Sequence, residues 1–321
     1  MDESGEDGRV TSGRTREGTI AAAVTVLAWA AAFPAIRAGL VGFSPWALGA
    51  ARLAVASLAL GIVALVLHPA RPPRRLWGRV VLAGLVGQAL YQGLLMTGEV
   101  SVPAGTASIL IATAPLFSVV AAGLLLHEPV RTALPGMIVA FAGVALVGFS
   151  LGVGGGVAAL VVLAAAACQG FYHVIVKPLA VELGAFAATA WSLWAGTVLC
   201  LPLLPLAGKQ ASSAPASALI ALLVLGVVSS ALGYAAWSVA LQHAPIAQTT
   251  VVLYLVPVLA LLLAWAWLGE RPSPLALAGG LVAVIGVIAV RRPRSIPATR
   301  SPSPVVPTTT AAGRDATSPT L

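Results

Sequence analysis

Three apolar stretches of the chain carry the polar side chains that could do chemistry: Gln88, Tyr91 and Gln92 in one, Gln169, Tyr172 and His173 in a second, Ser229, Ser230, Tyr234 and Trp237 in a third. Gln88 and Gln92 share a face at helical i, i+4 spacing. Trp29 interrupts another apolar run, and Thr106, Ser108 and Thr113 and then Gln248, Thr249, Thr250 and Tyr254 flank two prolines, Pro115 and Pro257. These groups donate and accept hydrogen bonds, which suits binding a ligand; bridging between helices is the plainer use of such residues. Bond-breaking chemistry would need a buried acid, a nucleophile beside a base, or a metal constellation. Outside loops and helix ends no Asp or Glu is present, and His68, His127, His173 and His243 fall on separate segments without ligand spacing. Cys168 and Cys200 form no CxxC pair. The reading is therefore no enzyme, no cofactor and no metal.

The elements that must position these residues follow from composition. Only 9% of the 321 residues are charged and 59% are hydrophobic, whereas a soluble domain needs about 25% charged residues. Apolar runs predict helices over 19–40, 45–67, 79–98, 103–126, 134–150, 156–177, 184–206, 216–241, 246–268 and 274–291, most of them near the roughly 20 residues a membrane crossing takes. Runs such as 58–67 and 251–268 lack the alternation of a membrane β-barrel. The fold class is all-α integral membrane protein. The first run follows a polar tail and is read as a helix, not a removed signal. The net charge of +8 could suggest nucleic acid, but the arginines sit between apolar segments. Arg9, Arg14, Arg16, Arg71, Arg74, Arg75, Arg79, Arg131, Lys177, Arg291, Arg292 and Arg294 fall on one side of the membrane, and only Arg37, Lys209 and Arg271 on the other. The positive-inside rule then puts both termini in the cytoplasm of a multi-pass plasma (inner) membrane protein, with lipid as partner and no nucleic acid. Residues 1–18 read as a polar tail and 293–321 as a disordered Pro/Ser/Thr-rich one.

An internal repeat organises the rest. "APLFSVVAAGLLLHEPV" reads like "VPVLALLLAWAWLGERP", and one offset of 142 residues separates Pro115 from Pro257, Glu128 from Glu270, Pro103 from Pro245 and Gln92 from Tyr234. Trp29 matches Gln169 at 140. The repeats are 19–151 and 152–292, each with five helices, and an odd number inserts the second copy inverted. Paired breaks at Pro115 and Pro257 mark where such proteins build a binding site. Trp29, Gln88, Gln92, Gln169, Tyr172, Tyr234, Trp237 and Tyr254 are the candidate substrate contacts. Arg52 lies about seven residues into its helix, roughly 10 Å deep; it reads as a structural anchor, with a direct role towards an anionic substrate group as the alternative. Glu128 and Glu270 each follow a helix and read as caps of the next one. Gly136, Ala140 and Gly143, and Gly279, Ala283 and Gly286, form small-residue faces that permit close packing and a homodimer.

These two Pro-to-Glu segments, each followed by a Gly-rich helix ("GMIVAFAGVALVG", "LAGGLVAVIGVIAV"), with Trp29 and the Arg52 segment "ALGAARLAVASL", resemble the ten-helix EamA branch of the drug/metabolite transporter superfamily over about residues 19–292. His127 stands where the family usually has glycine before its glutamate. The resemblance implies export of amino acids or related compounds through a central cavity between the halves; a drug efflux carrier, a non-transporting scaffold and a membrane enzyme are the alternatives. With no carboxylate at a helix centre and only His173 near a cytoplasmic end, the expectation is passive exchange down the substrate gradient.

Overall fold

In the computed structural model the described residues are 4–127, 131, 134–243 and 252–291. Every described regular element is helical. Helix α1 (Ser4–Gly39) reaches back through the stretch read as a tail, which holds no proline to stop it. Then come α2 (Pro45–Leu67), α3 (Arg74–Glu99), α4 (Ala104–Leu125), α5 (Leu134–Ser150), α6 (Gly152–Leu183), α7 (Ala185–Ala211), α8 (Ala216–Trp237, helical on to His243), α9 (Val252–Leu268) and α10 (Pro274–Arg291). Among the described residues seven helices are long and apolar enough to cross a membrane, and the shorter apolar helices are Leu134–Ser150, Val252–Leu268 and Pro274–Ala289. The lipid-facing character shows in side chains such as Leu65, Val66 and Phe149, exposed at 75%, 76% and 79%, an arrangement that water would penalise and hydrocarbon favours. The tail 293–321, Glu128 and the start of the segment expected from 246 lie outside the described residues.

The connections after α1 and α7 meet at one end of the bundle, and those after α2 and α6 at the other. At one end Gly42 packs on Ala214 and Ala218, and Ser44 donates its backbone N–H to Gln210 Oε1 at 3.0 Å. The other end holds the Arg75–Glu182 ion pair at 2.7 Å and the bond from Trp191 Nε1 to the Ala70 carbonyl.

Irregularities recur at equivalent places. Helix α4 breaks between Ala104–Ile111 and Ala114–Leu126, just before Pro115, and the described part of α9 opens with a 3-10 turn at Val252–Tyr254, just before Pro257. Proline cannot donate to the carbonyl four residues back, so each break frees acceptors. Helices α3 and α8 contain π-helical turns at Leu85–Leu90 and Val224–Leu232, whose last residues stand at the 142-residue offset; π-turns are frequent at functional sites. The sequence reading had no signal for them.

Small residues let α5 and α10 lie backbone to backbone. A Cβ on Gly143 would strike the backbone of Ala283, and one on Gly286 the backbone of Ala140. The contact is reciprocal: each helix offers its glycine to the other's alanine. The faces expected to permit a homodimer are thus consumed within the chain.

Among the described residues two non-glycine residues, His68 and His127, have positive φ. His127 closes α4 at φ 56°, where Gly269 closes α9 at φ 68°. A left-handed residue there terminates the helix, so the His127 departure noted in the sequence keeps the turn and adds backbone strain.

Candidate functional site

The prolines and several polar helix centres converge on a cavity of about 190 Å³ within the bundle. Its wall includes Ile111 and Leu253, the residues whose carbonyls lose their regular donor to Pro115 and Pro257, together with those prolines themselves. Of the expected contacts, Trp29, Gln169, Tyr234 and Tyr254 line it, and so do Arg52, Tyr91, Ser108 and His173. Trp29 meets Tyr234 edge-on at 5.8 Å between ring centroids and Trp237 at 5.6 Å. His173 is held by Ser118 (Oγ to Nδ1, 3.1 Å) and lies 3.4 Å from the Gln169 amide.

Four expected contacts stand behind the wall instead. Trp237 backs Trp29 and packs on Ala21, Ala22 and Ala240. Tyr172 is buried between α3 and α7 among Val80, Ala83 and Ala188, its ring filling the space that Gly87 leaves in the π-turn. Gln88 is fully buried, near the Tyr172 and Tyr234 hydroxyls. Gln92 accepts a hydrogen bond from Arg52. Helical spacing placed Gln88 and Gln92 on one face, but the π-turn between α3's segments rotates that face away from the cavity.

Arg52 is 6% exposed. Its Nη1 donates to Gln92 Oε1 at 2.9 Å and its Nε to Ser230 Oγ at 3.1 Å, and Ser230 Oγ in turn donates to the Leu225 carbonyl at 2.9 Å. The π-turn of α8 is what brings Ser230 to that position. Both partners are neutral, and among the described residues no carboxylate reaches Arg52 within ion-pair distance. The side chain is anchored and also presents a positive charge to the cavity, so the two readings of Arg52 are not exclusive. A buried cation costs several kcal/mol unless something compensates it.

A second charged group closes one end of the bundle. Arg37, from the end of α1, pairs with Glu270 (Nε to Oε1, 3.2 Å), and its Nη1 donates to the carbonyls of Glu99 at 2.6 Å and Val100 at 2.9 Å. The other oxygen of Glu270 accepts the backbone N–H of Ala104 at 2.8 Å. Glu270 is therefore a helix cap, but of α4 across the molecule and not of the helix that follows it; Ser273 caps α10 through the Ala276 N–H at 3.1 Å. A carboxylate at a helix start satisfies both a free N–H and the helix dipole. The clasp joins α1, the α3–α4 turn and the α9–α10 turn.

Glu99 itself was set aside in the sequence as a helix-end residue, yet it is fully buried and neither of its carboxylate oxygens has a hydrogen-bond partner. No sequence signal marked it, because burial at a helix end depends on what the rest of the fold packs around it; Gly98, beside it, packs on Ala158 and Val162 of α6.

The EamA-like transporter family model matches residues 16–149 and again 156–292. The chain is 45% identical over 275 residues to the "probable terminal-alkyne amino-acid exporter" of Streptantibioticus cattleyicolor, covering 84% of this chain and 91% of that one. It is 35% identical over 265 residues to the "uncharacterized transporter YdfC" of Bacillus subtilis, covering 81% and 86%, and 25% identical over 282 residues to the "uncharacterized inner membrane transporter YedA" of Escherichia coli K12, covering 87% and 92%. A solved crystal structure shares the fold at TM-score 0.56 and 20% identity, over 85% of this chain and 95% of that one. With two matches that together span the helical bundle, the chain belongs to the EamA-like transporter family of the drug/metabolite transporter superfamily and is a multi-pass membrane transporter of small metabolites.

Proposed function

We propose that the protein exports amino acids or closely related compounds by alternating access to the central cavity. The observation that carries the substrate class is Arg52, a buried cation on the cavity wall held only by neutral partners. An α-carboxylate docked there supplies the missing negative charge through charge-assisted hydrogen bonds. The faces of Trp29 and Tyr234 suit the ammonium of the same molecule, and the carbonyls at Ile111 and Leu253 offer it acceptors. The relative whose name specifies an amino-acid exporter supports this class. A volume of about 190 Å³ falls below the roughly 300–1,000 Å³ of pockets for drug-sized ligands, which weighs against drug efflux.

The accompanying architecture is two inverted five-helix repeats, 19–151 and 152–292, that cross the plasma membrane ten times with both termini in the cytoplasm. The connections that meet at each end, the reciprocal α5–α10 contact and the matched breaks support it. The Arg37–Glu270 clasp is then at the outer face. Comparing secreted and intracellular metabolites of cells with and without the protein nominates compounds; uptake of those compounds into proteoliposomes tests them. No flux for any zwitterionic amino acid, alongside flux for a bulky cation, overturns the substrate class. A scaffold would show no flux at all.

A further inference from the structure

We propose that Glu99 is the proton-binding site of the outer gate: the side chain takes up a proton each time the outer end closes and returns it to the outside each time that end opens. The inference rests on the alternating-access reading and adds to it a chemical ligand, the proton, at a site outside the substrate cavity.

The geometry states the need. Glu99 is fully buried at the end of α3, and neither carboxylate oxygen has a hydrogen-bond partner. An ionised carboxylate without partners in such a place costs far more than a neutral carboxyl. Three charged groups face it. Arg37 on α1 is the nearest cation, but its Nε is committed to Glu270 and its Nη1 to two backbone carbonyls. Glu270, in the α9–α10 turn, already neutralises Arg37 and repels a second negative charge. Arg52 on α2 is turned to Gln92 and Ser230. From α4 and α6 the neighbours of this turn are the Ala104 N–H, which Glu270 takes, and the apolar Ala158 and Val162. Arg37 thus reaches the Glu99 backbone carbonyl but not its carboxylate, and a carboxyl sealed in without a hydrogen-bond partner is held most cheaply with its proton on.

Opening the clasp separates α1, the α3–α4 turn and the α9–α10 turn and lets water reach Glu99. In water a Glu carboxyl has an ordinary pKa near 4.3, so at neutral pH its O–H bond breaks, the electron pair stays on the carboxylate and the proton passes to bulk water. Closure reverses the step. The outer end is thus favoured closed at low pH and open at high pH.

The test needs no substrate, so its failure is separate from failure of the exporter reading. Spin labels go on Val100→Cys and Leu275→Cys, both on exposed side chains flanking the clasp, in the full chain with Cys168→Ala and Cys200→Ala, purified into lipid nanodiscs. Inter-label distances are read from pH 5 to 8.5. The expected result is a growing long-distance population as pH rises, with the open-to-closed ratio changing by up to about tenfold per pH unit, the slope of one proton. Glu99→Gln and Glu99→Leu should each abolish that dependence, while Glu270→Gln should keep its sign. A flat profile in the unsubstituted protein, opening on acidification, or an unchanged profile in either folded Glu99 variant overturns the proposal. If neither variant folds, the sign of the profile with Glu99 intact, and its persistence in Glu270→Gln, decides.

Discussion

Replacing Arg52 by Gln removes the charge but leaves a side chain able to bond Gln92 and Ser230. The wild-type guanidinium uses Nε and Nη1 on those residues at 3.1 and 2.9 Å, which leaves its other terminal nitrogen for the cavity. A hydrogen bond to a charged partner contributes about 1.5–3 kcal/mol, so a substrate carboxylate that loses it should bind about ten- to a hundredfold more weakly, since about 1.4 kcal/mol is a factor of ten. Counterflow of a radiolabelled amino acid identified by the metabolite comparison, in proteoliposomes, measures this as a rise in KM. The decisive control is the same compound with its carboxylate converted to a primary amide. The wild type should discriminate acid from amide by the same factor, and Arg52→Gln should lose that discrimination. Arg52→Lys should rescue only part, because an ammonium cannot hold two fixed neighbours and the ligand in one plane. Retention of the acid-over-amide preference in Arg52→Gln, with the protein folded by melting curve, would refute the assignment of Arg52 to the carboxylate.

The remaining predictions concern the frame around the site. Gly143→Val should cost at least about 1–3 kcal/mol through overpacking and lower the melting temperature, because its Cβ meets the α10 backbone; Gly148→Val on the same helix, with nothing within 4 Å of the added carbon, should leave it unchanged. His127→Gly should raise stability by about 1 kcal/mol by relieving a left-handed residue, and Gly269→His should lower it similarly, both read by thermal unfolding in detergent. Glu270→Ala removes both the Arg37 pair and the α4 cap, so labelling of Leu95→Cys in the cavity by an impermeant thiol reagent from outside should rise; unchanged labelling would mean that the clasp does not hold the outer end. Cysteines at 73 and 271 in a Cys-free background should label from the cytoplasm and from outside respectively, and labelling of 73 in intact cells contradicts the orientation.

Much of the frame was legible in order of residues. Apolar runs of membrane length, arginines gathered between alternate pairs of them, and prolines at a constant offset are local properties, written in composition and spacing, and they led to the element positions, to the family and to the central place of Pro115 and Pro257. The cavity membership of Trp29, Gln169, Tyr234 and Tyr254 was legible for the same reason, since mid-helix depth along the chain translates into mid-bundle height. Which way a side chain faces was not. Two π-turns rotated Gln88 and Gln92 off the cavity and brought Ser230 to Arg52; a π-turn depends on how the neighbouring helices pack, and a 3.6-residue period cannot anticipate it. The tertiary structure also decided what the charges at the helix ends do. Glu270 caps a helix 166 residues away in sequence, and Glu99, the last residue of α3, is fully buried. Burial, and with it the energy of a charge, is set by what lies across the interface, and that information is held by the whole fold and by no single segment.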